Sequence, residues 1–170
     1  SIRSPIPEQG FVMPDSDPVK PATGTGGEPL NVALRKIPIF ADLSEGQVDW
    51  FASNCEDVRW ASGDAVVHEG DPADVLIVLL EGELRARRDS DGADSAVYIV
   101  HAGQVTGMLP FSRLTVFPVT FRAFGQVRVA RLHKDRFPQM MERIPQLTPR
   151  LVNLLADRVR EVSRADQQRD

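Results

Sequence analysis

A chain of 170 residues accommodates one domain with extensions. Its formal charge of −4 supplies no global basic field toward nucleic acid or an anionic membrane surface. No apolar run approaches the ~20 residues of a membrane-spanning helix, no secretory signal opens the chain, and the one cysteine, Cys55, excludes an internal disulfide or a cysteine metal cluster. These features fit a cytoplasmic protein.

Residues 1–29 carry Pro and Gly at many positions and no apolar period, so they are expected to form a flexible tail. The chain begins without Met, and Met13 is a candidate native start. Order is expected from near Leu34. Leu34, Ile37, Phe40 and Leu43 are spaced like a helical face that Pro38 breaks. Ser44 and Gln47 form a capping box ahead of Val48, Phe51, Ala52 and Cys55, one short amphipathic helix with Cys55 as a small core residue. From Val58 the apolar period changes to two. Short runs (58–60, 65–68, 75–80, 84–88, 96–100) alternate with turn signals at Ser62-Gly63-Asp64, Glu69-Gly70-Asp71-Pro72, Glu81-Gly82, Ser90-Asp91-Gly92 and Ala102-Gly103. This pattern predicts an all-β sandwich or barrel. Val119–Phe124 and Val127–Leu132, parted by Gly125-Gln126, predict a tight hairpin. Phe137, Met140, Met141 and Ile144 recur at helical spacing. A last helix is expected from Leu147, with Pro149 in its first turn. Val152, Leu155, Val159 and Val162 make a short heptad-like stripe on it, a candidate dimer surface. The division is therefore tail 1–29, domain 30–146 and connecting helix 147–170.

The stretch Thr106 to Ala123 organises the rest. Laid without a gap from Gly107, it resembles the phosphate-binding cassette of cyclic-nucleotide-binding domains, matching at Gly107, Leu109, Thr115 and Thr120. Phe40-Ala41-Asp42-Leu43-Ser44, the run from Glu69 to Leu84 and Ala102-Gly103-Gln104 resemble other parts of that family, so the likeness covers roughly Leu34 to Leu155. It implies a mainly β fold with flanking helices, an eight-stranded jelly roll followed by C-terminal helices. It also implies a ligand-gated regulatory role without catalysis. Leu155 to Glu161 with Gln167 to Asp170, and the Met-Leu-Pro-Phe-Ser-Arg-Leu-Thr of the cassette, resemble sensor regions of bacterial histidine kinases. That implies an output domain joined through the last helix.

The cassette departs from the family at both charged positions. Met108 stands where the resemblance implies a ribose-binding Glu, and Phe117 where it implies a phosphate-binding Arg. A short helix N-terminus in the cassette would still offer N–H groups to an anion, Gly107 would allow close backbone approach, and Pro110 would suit a first helical turn. Two lost charge-assisted contacts weaken binding by roughly 10²- to 10⁴-fold. The candidate ligand-binding residues are Gly107, Met108, Leu109, Phe111, Ser112, Arg113, Phe117 and Thr120. Met108, Phe111 and Phe117 read as packing residues that narrow the pocket. Ser112 either donates to an anion or caps a turn. Arg113 and Arg122 are the two cations that could substitute for the missing Arg; the reading preferred for both, and most for Arg122, is that they point to solvent or form surface pairs.

No cofactor is assigned; a cyclic nucleotide or another small anionic ligand is the open possibility. His68, His101 and His133 are scattered, Glu81 with Glu83 and Asp71 with Asp74 sit in turns, and Arg85, Arg87 and Arg88 form a small basic face. None makes a catalytic set or a metal site. The expected partners are a second copy of the chain and a C-terminal output domain, with neither nucleic acid nor membrane. Two alternatives stand beside the sensor reading: a ligand-free dimerisation scaffold, and a truncated catabolite-activator-type transcription regulator.

Overall fold

The computed structural model describes residues 27–89 and 96–157, without the side chains of Ala96 and Val97. Expectations resting on 1–26, on the Ser90-Asp91-Gly92 turn, on Val159 and Val162, and on the polar end of the chain lie outside these residues. In chain order the elements are α1 (Leu30–Arg35), α2 (Glu45–Asn54), β1 (Glu56–Trp60), β2 (Ala65–Val67), β3 (Val75–Arg87), β4 (Ala96–His101), β5 (Val105–Gly107), β6 (Thr120–His133), a 3₁₀ turn (Lys134–Arg136) and α3 (Phe137–Arg143). A further helix, α4, is formed over residues 147–157. No helix of the described residues is long and apolar enough to cross a membrane.

The α2 start follows from its first residues. The Ser44 hydroxyl accepts the Gln47 N–H at 3.2 Å while the Gln47 side-chain oxygen accepts the Ser44 N–H at 3.1 Å. This closes the capping box that the sequence carries, worth about 1 kcal/mol. Val48 and Phe51 are buried, and the Phe51 ring packs on Phe40 with centroids 4.8 Å apart. Cys55 is not on the helix but is its C-cap, packed at the edge of the core, where burial pushes its thiol pKa up. The helical face expected over Leu34 to Leu43 is instead one short helix followed by turns. Ile37, Phe40 and Leu43 are nonetheless buried beside Leu34.

The strands form an antiparallel sheet on the path β1–β6–β3–β4, with β2 also paired to β6 and β5 to β3. The unbroken apolar run at the start of β3 has a direct cause. Leu76 and Val78 face a core shared with the helices, while Val75, Ile77 and Leu79 face a second core inside the roll. A strand covered on both faces reads as a continuous apolar run rather than an alternation. β6 divides likewise, with Ala130 and Leu132 on the helix side and Val127 and Val129 inside the roll. In its second half β3 alternates. Leu84 and Ala86 are buried, while Glu83, Arg85 and Arg87 lie on the other face.

Two expected turns are not turns. Glu81-Gly82 does not separate two strands, and Gly125-Gln126 does not close a hairpin; both sit inside uninterrupted strands. The register of β3 against β6 slips between Leu79 and Glu81 and again between Glu81 and Glu83, so the two long strands bend together as a bulge. Gly82 has φ +87°, and a Cβ there would overlap the Gln126 carbonyl oxygen. The glycine allows the opposed backbones to approach. With each long strand counted as two halves, the six strands of the described residues are the eight of the expected jelly roll.

The helices close one side. Phe137, Met140, Ile144, Leu147 and Leu151 are buried with Leu34, Phe40 and Phe51. Each large side chain buried there contributes roughly 1.5–3 kcal/mol. Arg150 fixes α4 to the turn before α2: it donates to both Asp42 carboxylate oxygens at 2.8 and 2.9 Å and to the Ile39 carbonyl at 2.7 Å. On the sheet, Arg128 is only 2% exposed. It makes a two-point pair with Asp57, Nε to Oδ1 at 3.0 Å and Nη2 to Oδ2 at 2.8 Å.

Candidate functional site

The 107–120 segment begins where β5 ends. Gly107 has φ +81°, and a Cβ would come within 2.6 Å of the Val75 carbonyl oxygen. The Met108 N–H donates to that same carbonyl at 2.7 Å. The segment leaves through the turn after β2: the Phe117 N–H donates to the Asp71 carbonyl at 2.8 Å, the Gly70 N–H to the Phe117 carbonyl at 2.8 Å, and the Ala73 N–H to the Thr115 carbonyl at 3.0 Å. The Gly-Asp-Pro turn and the cassette exit are thus held together as one unit.

Between these anchors the expected short helix is absent. A tight turn spans Leu109 to Ser112, closed by the Ser112 N–H on the Leu109 carbonyl at 3.0 Å. Pro110 supplies the fixed φ of the second position, and Phe111 takes the third with φ +71°. This is the pattern of a type II turn, in which a positive φ at the third position stops a helix from propagating. With no helix there is no helix N-terminus to receive an anion.

The candidate side chains separate rather than converge. Leu109 is buried in the helix-side core, and Met108 is half-buried against both cores. Phe117 is 2% exposed inside the roll, edge-on to Phe121 at 6.4 Å, which is in turn edge-on to Tyr98 at 5.9 Å. These two positions fill space as expected. Phe111 does not: its ring is 69% exposed and narrows no pocket. The Ser112 oxygen accepts the Leu114 N–H at 3.3 Å, the turn-capping alternative. Arg113 is exposed at the loop surface. Arg122 lies on β6 and donates to the Gly63 carbonyl at 3.3 Å, away from the 109–112 turn. Thr120 is buried; its Oγ1 accepts the Glu69 N–H and donates to Asp89 Oδ2, each at 2.8 Å. That satisfied hydroxyl, and Asp89 with it, was not legible from the sequence: only the pairing of β3 with β6 brings residues 31 positions apart into reach.

Two cavities of about 420 Å³ each lie elsewhere. One is on the outward face of β3 and β6 and includes Thr120, Arg85 and Arg122. The other runs between β4–β5 and α4, lined by Ile39, Tyr98, Gln104, Leu154 and Asp157 among others. Neither is lined by residues 107–117.

An antiparallel roll whose glycine-led segment is clasped by a Gly-Asp-Pro turn, with helices packed behind it, has a recognised counterpart. The model of the cyclic nucleotide-binding domain matches residues 57–144. The chain belongs to the cyclic nucleotide-binding domain family. Among relatives, a lysophospholipase nte1 of Neosartorya fischeri is 26% identical over 134 residues, 78% of this chain and 8% of that protein. The chain therefore spans under a tenth of the length of the first curated relatives it matches. Among solved structures, the N-terminal domain of a transcriptional regulator from Streptomyces coelicolor is 28% identical with TM-score 0.58, covering 78% of this chain and 93% of that one. A cyclic nucleotide-binding domain from Methylobacillus flagellatus is 23% identical with TM-score 0.65, covering 83% and 82%; this likeness shows the fold.

Proposed function

We propose that the chain is a non-catalytic sensor domain that passes a change at the 107–120 segment through α4 to an output module. The resemblance of its last residues points to a histidine kinase core as that module. The observation that carries this reading is Leu109, which stands in the cassette yet is buried in the same core as Leu147 and Leu151 of α4. A shift of the 109–112 turn alters the seat of the helix, and a ligand drives that shift by its differential affinity for the two arrangements.

Cyclic AMP and cyclic GMP are poor ligands in this reading. Met108 offers no acceptor to a ribose hydroxyl, Phe117 offers no cation, and the aromatic row Phe117–Phe121–Tyr98 occupies the roll. Calorimetry with both nucleotides is expected to give dissociation constants no tighter than roughly 10 μM. Submicromolar binding would overturn this, and Arg113→Ala would then test the exposed loop cation as the replacement. The same aromatic row favours a second reading, a ligand-free dimerisation scaffold. A thermal-shift screen separates the two: a sensor is stabilised by at least one metabolite, a scaffold by none. The likeness to the N-terminal domain of a transcriptional regulator supports a transcriptional output as the alternative to a kinase core.

A further inference from the structure

Beyond the glycine bulge, the outward face of β3 and β6 carries the cavity of about 420 Å³ walled by Ser62, Gly63, Arg85, Arg87, Arg122 and Phe124. Arg85 is directly opposite Arg122 in the β3–β6 register. Like charges placed opposite one another on adjacent strands cost stability, and here they stand in a chain of net negative charge. Both guanidinium groups are held in place. Arg122 Nη1 donates to the Gly63 carbonyl. Arg85 Nε donates to Glu83 Oε2 at 3.0 Å, and its guanidinium lies 3.5 Å over the Phe124 ring. Each of the two hydrogen bonds uses a single N–H of its planar fork, and both arginines line the cavity. The Ser62 oxygen accepts the Gly125 N–H at 2.9 Å, so its own O–H is available as a third donor. Arg87, two residues along the same face, adds positive charge. Among the described residues of the lining the one carboxylate is Asp89, which accepts from the Thr120 hydroxyl.

We propose that this groove is a binding site for a small phosphate monoester. Two oriented guanidinium forks with a hydroxyl donor match a dianionic tetrahedral phosphate, which takes paired N–H···O bonds from arginine. A cyclic diester carries one charge and fewer free oxygens, so it binds less well here. The cavity has the volume of a small-ligand site, and the half-exposed Phe124 ring at its wall offers an apolar surface to the body of the ester. The site is lined by none of residues 107–117, shares Thr120 with the 107–120 segment, and does not depend on the function proposed for that segment.

The test is an amide NMR titration of the full chain with inorganic phosphate, AMP and cyclic AMP at low salt. AMP is expected to give saturable shifts at Ser62, Gly63, Ala123 and Phe124, with a dissociation constant of about 0.1–1 mM. Phosphate is expected to shift the same residues more weakly, and cyclic AMP to bind them less well than AMP. The double variant Arg85→Gln with Arg122→Gln is expected to bind AMP at least roughly tenfold more weakly, while Arg122→Lys retains part of the affinity. No saturation, shifts centred on residues 107–117, or undiminished binding by the double variant would overturn the site. Should the double variant not fold, the map of shifts on the wild-type chain decides.

Discussion

Phe111 holds a backbone conformation that a side chain with a Cβ rarely adopts, and it gains almost no burial in return. Such a residue costs on the order of 1 kcal/mol against glycine at the same φ. Phe111→Gly is therefore expected to stabilise the domain by up to about 1 kcal/mol in urea unfolding. A destabilised variant would mean that the ring makes a contact worth more than the strain. The residue scale is also where sequence reading was weakest. Met108 and Phe117 were legible as packing residues because an apolar side chain in place of a charged one has few other uses. Phe111 was not, because its exposure depends on a turn type, and Pro110 fits a first helical turn as well as a type II turn. Arg122 reads first as a surface residue and only second as a cation for the cassette; the register of β6 places it on the outer face, opposite Arg85.

At the scale of elements, the two glycines of the bulge differ in a testable way. Both have positive φ, but a Cβ at Gly125 meets open space while one at Gly82 meets the Gln126 backbone and the Val127 side chain. Gly125→Ala is expected to cost about 1 kcal/mol for the backbone conformation alone. Gly82→Ala is expected to cost clearly more, on the order of 2–4 kcal/mol, since backbone must also move. Equal losses in chemical denaturation would contradict the packing described for the bulge. The strands themselves were legible from period and turn residues. Whether Gly-Gln or Glu-Gly closes a hairpin or opens a bulge was not, since a partner strand far along the chain decides it. The α4 attachment gives a pH prediction. The hydrogen bonds from Arg150 lower the Asp42 carboxyl below its ordinary value of 3.8. A lowered folded value lends stability that is complete above that ordinary value and is lost as pH falls through the folded one. Asp42→Asn removes this contribution, so its melting temperature should fall less steeply than the wild type's below about pH 4. Parallel acid limbs would show that the pair does not stabilise the fold.

For the whole molecule, assembly is the open question that α4 poses. Leu147 and Leu151 face the core, whereas Val152 is exposed and Leu155 only partly covered. We propose that this outer stripe, whose heptad-like spacing Val159 and Val162 continue in the sequence, joins two copies in parallel. Analytical ultracentrifugation is expected to find a dimer that the pair Leu155→Asp and Val162→Asp dissociates. A wild-type monomer at high micromolar concentration, or a dimer indifferent to both charges, would exclude the helix as the interface.

The pairing of β3 with β6 has a consequence in time. Val75 meets His133 and Arg87 meets Thr120, so the central ladder joins residues 33 to 58 positions apart. Such a topology is slow to form, because the loop between the strands must close before any of its contacts is rewarded. During synthesis β3 leaves the ribosome well before β6, with its doubly apolar run 75–79 paired on one edge by β5 at most and open on the other. The helix pair α1–α2 is complete by then and covers only one of its two faces. The nascent domain is therefore most exposed to aggregation in the interval before β6 emerges.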